Sequence, residues 1–264
     1  MKFHSINNVV IIGTGRVGSN LAKIFKDCGL QIIQIVGRNL LKAETIALKT
    51  GAHYTNKLNH IKTNADLYIL AISDDAIAEV AGLMPVVKGL VVHTSGFKSI
   101  DVLPVHFKRR GVFYPLQTFS ESRNPSFEEI PLFIQAINKE DQQILMELGK
   151  RLSNKVISTN DLQRKELHLA AVFVSNFSNA MYEIGAGLLK EFNLQFDYLR
   201  PLILETAHKA CVLQPEDAQT GPARRNDIGT INLHLEMLSQ KTELSTIYKD
   251  ITSYILTKYH QKSL

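Results

Sequence analysis

A strand that runs directly into a glycine-rich turn constrains this chain more than any other feature of its sequence. The apolar run Val9-Val10-Ile11-Ile12 is followed by Gly13-Thr14-Gly15-Arg16-Val17-Gly18, which opens a helical pattern. In such a strand, turn and helix unit the first glycine makes the tight turn, the second lets the backbone approach a pyrophosphate, and the third packs helix against strand. The free N–H groups of the helix N-terminus then bind the anion. We therefore predict a dinucleotide-binding domain of the Rossmann type.

The rest of the first 158 residues fits that fold. Short runs rich in Val, Ile and Leu alternate with helical segments, a pattern typical of βαβ units in a mostly parallel, doubly wound sheet. Asn39 and Asp74 are predicted helix N-caps. Strands are predicted at 8–12, 31–36, 67–71, 90–93, 111–115, 132–136 and 156–158, and helices at 17–28, 40–50, 75–84 and 140–152.

The pattern changes near Asn160, after which only helical periodicity is evident. Helices are predicted at 161–192, 197–212, 228–239 and 244–258, the first capped by Asn160 or Asp161. We therefore expect an α/β dinucleotide-binding domain over 1–158 and an all-α domain for substrate binding and dimerisation over 159–264.

Composition narrows the functional classes. No apolar run approaches the ~20 residues that span a bilayer, and no secretory signal pattern opens the chain, so we expect a cytoplasmic protein without a membrane partner. Cys28 and Cys211 are too few for a disulfide framework, and no metal site is predicted. The net charge of +5 comes from scattered Lys and Arg without a nucleic-acid motif, so we expect a small anionic ligand.

The end of the second strand indicates which dinucleotide binds. NAD-specific sites place an Asp or Glu about 20 residues after the glycine motif to bind the ribose hydroxyls, but this chain has Val36-Gly37-Arg38-Asn39. Arg38 can pair with a 2′-phosphate, Asn39 can donate to it, and Lys42 adds charge. This pattern predicts NADP; the alternative is that Arg38 is a solvated surface side chain.

Two further loops are expected to contact the cofactor, because ligands of open α/β sheets bind beyond the carboxyl ends of the strands. Ser73 and Asp74 follow one strand, and Thr94 and Ser95 follow the next. Their backbone and hydroxyl groups are candidates for contacts with the nicotinamide ribose. The alternative for Asp74 is a helix cap without a ligand.

Several motifs give the chain a family resemblance. Besides the glycine-rich turn they are His93-Thr94-Ser95-Gly96, the run Tyr114-Pro115-Leu116-Gln117-Thr118-Phe119, the helical segment from His168 to Phe177, and Thr220-Gly221-Pro222-Ala223-Arg224-Arg225-Asn226-Asp227. With them the chain resembles the 6-phosphogluconate dehydrogenase-like superfamily, which includes pyrroline-5-carboxylate reductase. It is most similar to a branch of NADP oxidoreductases in which an uncharacterised helical domain follows the Rossmann domain.

The resemblance implies a substrate cleft beside the long first helix of the second domain, and a homodimer formed through the C-terminal helices. In β-hydroxyacid dehydrogenases this helix carries a catalytic Lys, followed four residues later by an Asn. If Asn176 matches that Asn, Val172 stands at the Lys position. The usual proton donor to a reduced carbonyl is then missing, which disfavours hydroxyacid chemistry.

The helix itself offers other groups. His168, Val172, Ser175, Asn176 and Asn179 share one helical face. His168 is the candidate proton donor or acceptor, because its ordinary pKa lies near neutrality, and Asn176 is the candidate for orienting the substrate. The alternative for His168 is a brace at the domain junction.

Further candidates for substrate binding lie in two loops. Gln117 and Thr118 follow a strand end, where their side chains either bind substrate or only form hydrogen bonds within the loop. Arg224 and Arg225, after the Gly-Pro turn, are suited to hold a carboxylate or phosphate; the alternative is a charged turn in which Arg225 pairs with Asp227.

Together these features predict an NADP-dependent oxidoreductase that transfers hydride between nicotinamide and a C=O or C=N bond of a small anionic substrate. Imine reduction is mildly favoured, because an imine nitrogen can arrive already protonated. Two alternatives stay open: an NADP-binding sensor or scaffold without catalysis, and an enzyme that exchanges hydride between NADP and a deazaflavin.

Overall fold

The computed structural model describes residues 6–120 and 126–260. Its chain divides into two compact units, residues 1–176 and 177–264. The division falls inside the helical segment that begins at Asp161, so part of the helical sequence belongs to the first unit.

One sheet of eight strands organises the first unit, in the order β3-β2-β1-β4-β5-β6-β7-β8. Neighbouring strands are parallel except for β6 and β7, which are antiparallel. The order 3-2-1-4-5-6 is that of a Rossmann sheet, which confirms the predicted fold class. The strands are β1 (Asn8–Ile12), β2 (Gln31–Val36), β3 (His53–Thr55), β4 (Leu67–Leu70), β5 (Leu90–His93), β6 (Arg110–Pro115), β7 (Leu132–Ala136) and β8 (Val156–Ser158).

Helices cover both faces of the sheet, which explains why the central strands are apolar on both sides. Successive residues of β1 alternate: Val9 and Ile11 join one core, and Val10 and Ile12 join the other. The first core packs against α1, α2 and α4, and the second packs against α3. The helices of this unit are α1 (Arg16–Asp27), α2 (Leu40–Thr50), α3 (Ile77–Leu83), α4 (Lys139–Lys150) and α5 (Asp161–Ala171).

The short strand β3 and the start of the helix after β4 differ from the sequence-based expectations. The short strand β3 was not predicted, because His-Tyr-Thr carries little apolar signal and two of its three residues are exposed. Asp74 was predicted to cap a helix, but it lies inside a 3₁₀ turn, Asp74–Ala76, whose N-cap position is Ser73. The predicted cap Asn39 is confirmed, since its side chain accepts from the backbone N–H of Lys42.

The long helix predicted over 161–192 is interrupted. After α5 the backbone adopts a π-helical turn, Val172–Phe177, and then continues as α6 (Ser178–Lys190). Asn160 caps α5 in a capping box with Gln163, so of the two residues that the sequence offered as its N-cap, Asn160 occupies the position.

The second unit is helical. It contains α6 with α7 (Arg200–Val212), α8 (Pro215–Ala218), α9 (Ile228–Met237) and α10 (Thr242–His260), and no strand occurs among its described residues. Over residues 177–260 only Ala223 and Ile231 are buried hydrophobic residues, whereas fifteen large apolar side chains are exposed, including Leu204, Met237 and Tyr254. None of the helices in the described part of the chain is long and apolar enough to cross a bilayer.

Candidate functional site

The glycine-rich turn has the geometry that a dinucleotide needs. Gly13 has φ +120°, and a Cβ there would lie 2.1 Å from the Ala71 carbonyl oxygen; a Cβ at Gly18 would lie 2.1 Å from that of Gly13. A Cβ at Gly15, by contrast, meets nothing within 4 Å. The turn is thus closed on the protein side and open above the N-terminus of α1, where a pyrophosphate would meet the backbone N–H groups. These residues fit the predicted cofactor.

Arg38 lies next to this turn. A Cβ at Gly37 would come within 2.4 Å of Thr14 Cγ2, so the glycine allows the loop after β2 to touch the glycine-rich turn. Arg38 and Asn39 are both exposed, and the capping bond of Asn39 uses Oδ1, which leaves its amide N–H₂ to donate. Thr14, Gly15, Arg16 and Lys42 line one groove of about 680 Å³ between α1 and α2. Lys42 therefore lines the same groove as the glycine-rich turn, and Arg38 follows the glycine that touches this turn.

The next two predicted loops also lie at this edge, because β1, β4 and β5 run parallel. Ser73 is exposed and Asp74 is half-buried after β4. Thr94 donates from its hydroxyl to the Leu70 carbonyl over 3.4 Å. Ser95 Oγ accepts from the backbone N–H groups of Phe97 and Lys98. The two hydroxyls after β5 thus hold their own loop, and their contact with a cofactor remains a prediction.

A histidine under that loop is kept neutral. His93 is fully buried; its Nδ1 accepts from the Ser95 N–H over 3.2 Å, and its Nε2 lies 3.3 Å from the Ser99 carbonyl oxygen, to which it therefore donates. Burial, reinforced by the Arg164 charge, lowers the pKa of His93 to about 4. Its role in the fold is to hold both ends of the loop that follows β5.

Arg164 ties the same loop to α5. This guanidinium is completely buried and donates to Gln135 Oε1, to the Lys98 carbonyl and, over 2.8 Å, to Asp161 Oδ1. Its Nε has no partner among the described residues. A buried charge needs such partners, because its desolvation costs several kcal/mol. Sequence reasoning missed Arg164; the signal available was the Asp161 to Arg164 spacing of an i,i+3 ion pair in the first turn of a helix.

Asp161 completes this network. Burial alone would raise its pKa, but hydrogen bonds from the Ser99 hydroxyl and from Arg164, the Arg164 charge and the Ile100 N–H together hold the pKa of Asp161 below its usual value. The carboxylate therefore stays charged and fixes the start of α5 against the loop that ends at Ser99.

The predicted proton donor lies one helical turn beyond Arg164. His168 is half-buried, and its Nδ1 lies 3.2 Å from Oη of Tyr114, near the end of β6. Burial, with a contribution from the charge of Asp74, raises the pKa of Tyr114 to about 12. Since β6 is parallel to β5, this pair lies at the same sheet edge as the predicted cofactor loops.

Asn176 is exposed and lies in the π-helical turn, five residues after Ala171. The wider turn changes the angular spacing of the predicted polar face, since a π turn bonds residue i to i+5 rather than i+4. Single π turns occur frequently at functional sites. No sequence pattern predicts this turn, because its residues also suit an α-helix.

The two residues predicted after β6 make local contacts. Gln117 and Thr118 are exposed, and Gln117 Oε1 accepts from the Thr118 N–H over 2.8 Å, so this side chain makes a hydrogen bond within its own loop.

Arg224 and Arg225 belong to the second unit. The Arg224 guanidinium stacks 4.4 Å from the Tyr259 ring centroid, and His260 Nε2 lies 3.1 Å from the carbonyl oxygens of Ala223 and Arg224. In the described chain Arg225 forms no ion pair within 4.0 Å, Asp227 included.

Comparison with solved structures places the chain in a family. A candidate NADP oxidoreductase from Bacteroides fragilis is 41% identical, with a TM-score of 0.88 over 95% of this chain and 98% of its own. The chain belongs to the family of this protein. Residues 130–255 match a domain of unknown function, DUF2520, and residues 1–86 match shikimate / quinate 5-dehydrogenase. The resemblance to NADP oxidoreductases with an uncharacterised helical domain is thereby confirmed.

Two more distant structures share the fold. An imine reductase from Myxococcus stipitatus, in complex with NADP⁺, is 15% identical, with a TM-score of 0.65 over 94% of this chain and 92% of its own. A pyrroline-5-carboxylate reductase from Coxiella burnetii is also 15% identical, with a TM-score of 0.56 over 98% and 100% of the two chains. No curated protein matches the chain.

The Asp161 network predicts a pH-dependent stability. A carboxyl group with a lowered native pKa stabilises the fold above about pH 4, and this stabilisation is lost as the pH falls towards that lowered value, because the unfolded chain takes up the proton first. We expect Asp161→Asn to cost about 2 kcal/mol at pH 7, the worth of hydrogen bonds to a charged group. Its unfolding free energy should also fall less steeply than that of the wild type between pH 5 and 3.

Urea unfolding across that pH range measures both effects. Asp101→Asn is the control, because Asp101 is a nearby exposed carboxylate of the same loop region. Equal pH slopes for Asp161→Asn and the wild type would contradict the assignment.

Proposed function

We propose that this protein is an NADP-dependent oxidoreductase that reduces a C=O or C=N bond in a small anionic substrate. The proposal rests on one arrangement at a single edge of the sheet. The turn from Gly13 to Gly18 is open to a bound anion, Arg38 lies beside it, and the Tyr114 and His168 pair lies at the same edge. The NADP named for the Bacteroides fragilis relative agrees with the prediction made from Arg38. A reducing nicotinamide supplies a hydride when it is bound.

The residues divide into three roles. The N–H groups at the start of α1 bind the pyrophosphate, and Arg38, Asn39 and Lys42 bind the 2′-phosphate. His168 exchanges the proton that accompanies reduction, and Asn176 orients the substrate. Arg224, which stacks on Tyr259, and Arg225 remain the predicted partners of the anionic group of the substrate.

The absence of a lysine at Val172 limits the substrate class. A ketone needs a strong proton donor as its oxygen becomes negative, whereas an imine can arrive protonated and needs only to be held there. A histidine suits both cases, because the neutral imidazole can accept a hydrogen bond from a protonated imine and the charged imidazole can give a proton to an unprotonated one. We therefore favour a small imino acid over a hydroxy acid or keto acid.

The exposed apolar side chains of the second unit support a homodimer. Among its described residues, fifteen large apolar side chains are exposed and only two hydrophobic residues are buried, so a partner is needed to cover most of its apolar surface. A second copy of the same helices is the partner that the family resemblance suggests.

The cofactor assignment is tested with Arg38→Asp. Loss of a charge-assisted pair and introduction of a repelling carboxylate should weaken NADPH binding ~10–100-fold, with NADH affected little or bound more tightly. Fluorescence titration gives both dissociation constants. Lys88→Asp, at an exposed lysine before β5, makes the same charge change far along the chain and should alter neither. Unchanged NADPH affinity in Arg38→Asp would rule out the 2′-phosphate site.

The reaction is tested with NADPH and a panel of cyclic imino acids, 2-oxo acids and deazaflavins. We expect turnover of an imino acid, with kcat ~10²–10⁴-fold lower in His168→Asn, the range of general acid and base catalysis. His53→Asn, at an exposed histidine of β3, is the matched control. Tight NADPH binding without any turnover would instead favour a sensor or scaffold, and hydride exchange with deazaflavins alone would favour the deazaflavin enzyme.

The dimer is tested by light scattering. We expect twice the 29.6 kDa of the chain. Leu204→Glu places a charge on α7 at a side chain that is 70% exposed and should convert the dimer to monomer, whereas Leu48→Glu, 78% exposed on α2, should not. A monomeric wild-type protein would refute the assembly.

A further inference from the structure

The contact between Tyr114 and His168 is enclosed on one side by the loop after β5. Tyr114 is 8% exposed, and the two rings meet edge to face with centroids 6.2 Å apart. A Cβ at Gly96 would lie 2.7 Å from His168 Nδ1 and 2.9 Å from Tyr114 Oη. Real Cβ atoms do not approach so closely, so only glycine at this position lets the loop cover the contact.

The network around Arg164 fixes the position of that loop. Arg164 donates to the Lys98 carbonyl, and Asp161 accepts from the Ser99 hydroxyl and the Ile100 N–H. Both charged side chains are on α5, the helix that also carries His168. The loop, the tyrosine and the histidine are therefore held in one arrangement by hydrogen bonds between elements of the first unit.

The chemistry of the hydroxyl determines which histidine nitrogen is free. With its pKa raised to about 12, Tyr114 keeps its proton at neutral pH. In the described chain, Nδ1 of His168 is the one hydrogen-bond partner recorded for Tyr114 Oη. A neutral imidazole with its hydrogen on Nε2 accepts at Nδ1 from this hydroxyl, the arrangement that also uses the hydroxyl proton; when the ring is charged, Nδ1–H donates to the hydroxyl oxygen. In both states Nδ1 is occupied.

We propose that Tyr114 is the positioning residue of the proton-transfer step: it occupies Nδ1 of His168 and leaves Nε2 as the nitrogen that exchanges a proton with the substrate. The inference deepens the proposed reductase function and rests on it. Gly96 takes part by allowing the loop to close over the pair. No role was assigned to Tyr114 or Gly96 from the sequence.

The proton balance follows from this arrangement. When the substrate arrives unprotonated, the electron pair of the C=O or C=N double bond moves onto the heteroatom as the carbon gains the hydride, and the heteroatom takes the proton from Nε2 of a charged His168. The N–H bonding pair returns to the ring, which becomes neutral and keeps its hydrogen on Nδ1, bonded to Tyr114 Oη. Solvent then returns a proton to Nε2 and restores the charged ring, whose Nδ1–H still donates to the Tyr114 hydroxyl oxygen.

The test is nitrogen NMR of the full-length protein labelled at the histidine rings, with the His168 signals assigned by their loss in His168→Asn. In the neutral state we expect the proton on Nε2 and a hydrogen-bonded Nδ1. Tyr114→Phe should move the Nδ1 resonance towards that of a ring nitrogen without a hydrogen bond. Tyr68→Phe is the matched control, because Tyr68 is also buried and its hydroxyl bonds to Lys62 and Ala65.

Kinetics supply a second measurement. Tyr114→Phe should lower kcat ~10-fold, a fraction of the effect expected for His168 itself, while KM and the NADPH dissociation constant stay unchanged. If that variant does not fold, Gly96→Ala displaces the same contact from the loop side and should shift the same Nδ1 signal.

The inference is overturned if the wild-type neutral ring carries its proton on Nδ1, or if the variants leave the His168 signals unchanged. These outcomes are independent of the proposed function, because the spectra need no substrate. A protein with the expected spectra that binds NADPH but reduces nothing would retain the Tyr114 contact and lose the reductase assignment.

Discussion

The buried guanidinium of Arg164 is the interaction on which the arrangement of the candidate site depends. It is fully desolvated, and its donors bond to groups on β7, on the loop after β5 and on α5 itself. Removing a partner would leave an uncompensated charge, so the three elements are held together strongly. Because α5 also carries His168, the same interaction sets how the histidine lies against Tyr114 and Gly96. A charge that touches neither cofactor nor substrate thus determines the geometry of the groups that would.

The Rossmann unit was predictable from sequence because its signals are local. The glycine turn follows β1 directly, the parallel strands are continuous apolar runs, and Asn39 and Asn160 lie at caps that the residue types favour. The strand β3 was missed because its register comes from pairing with β2 rather than from an apolar pattern. The helix cap predicted at Asp74 was wrong for a similar reason, since a 3₁₀ turn can use the same residue types as a helix cap.

The candidate site was predictable only where a single segment contains the chemistry. The phosphate-binding turn and Arg38 are such cases, and His168 was recognisable as a polar residue in an apolar helix. Tyr114, Gly96 and Arg164 make the contacts that matter here with residues 18 to 72 positions away along the chain. No periodicity in the sequence predicts such contacts. Tyr114 in particular looks like an ordinary core residue of β6, because the sequence gives no sign that its hydroxyl faces a histidine.

The position of Val172 relates these observations to the chemistry. The family resemblance sets Val172 against a lysine of β-hydroxyacid dehydrogenases, and a lysine ammonium needs no second residue to define which proton it gives. A histidine has two nitrogens, so its use as a proton donor requires that one of them be occupied. Tyr114 supplies that occupancy from a neighbouring strand, and Gly96 supplies the space for it. A valine at position 172 therefore agrees with the proposed role of His168, which lies four residues earlier on the same helix and is held by Tyr114 and Gly96.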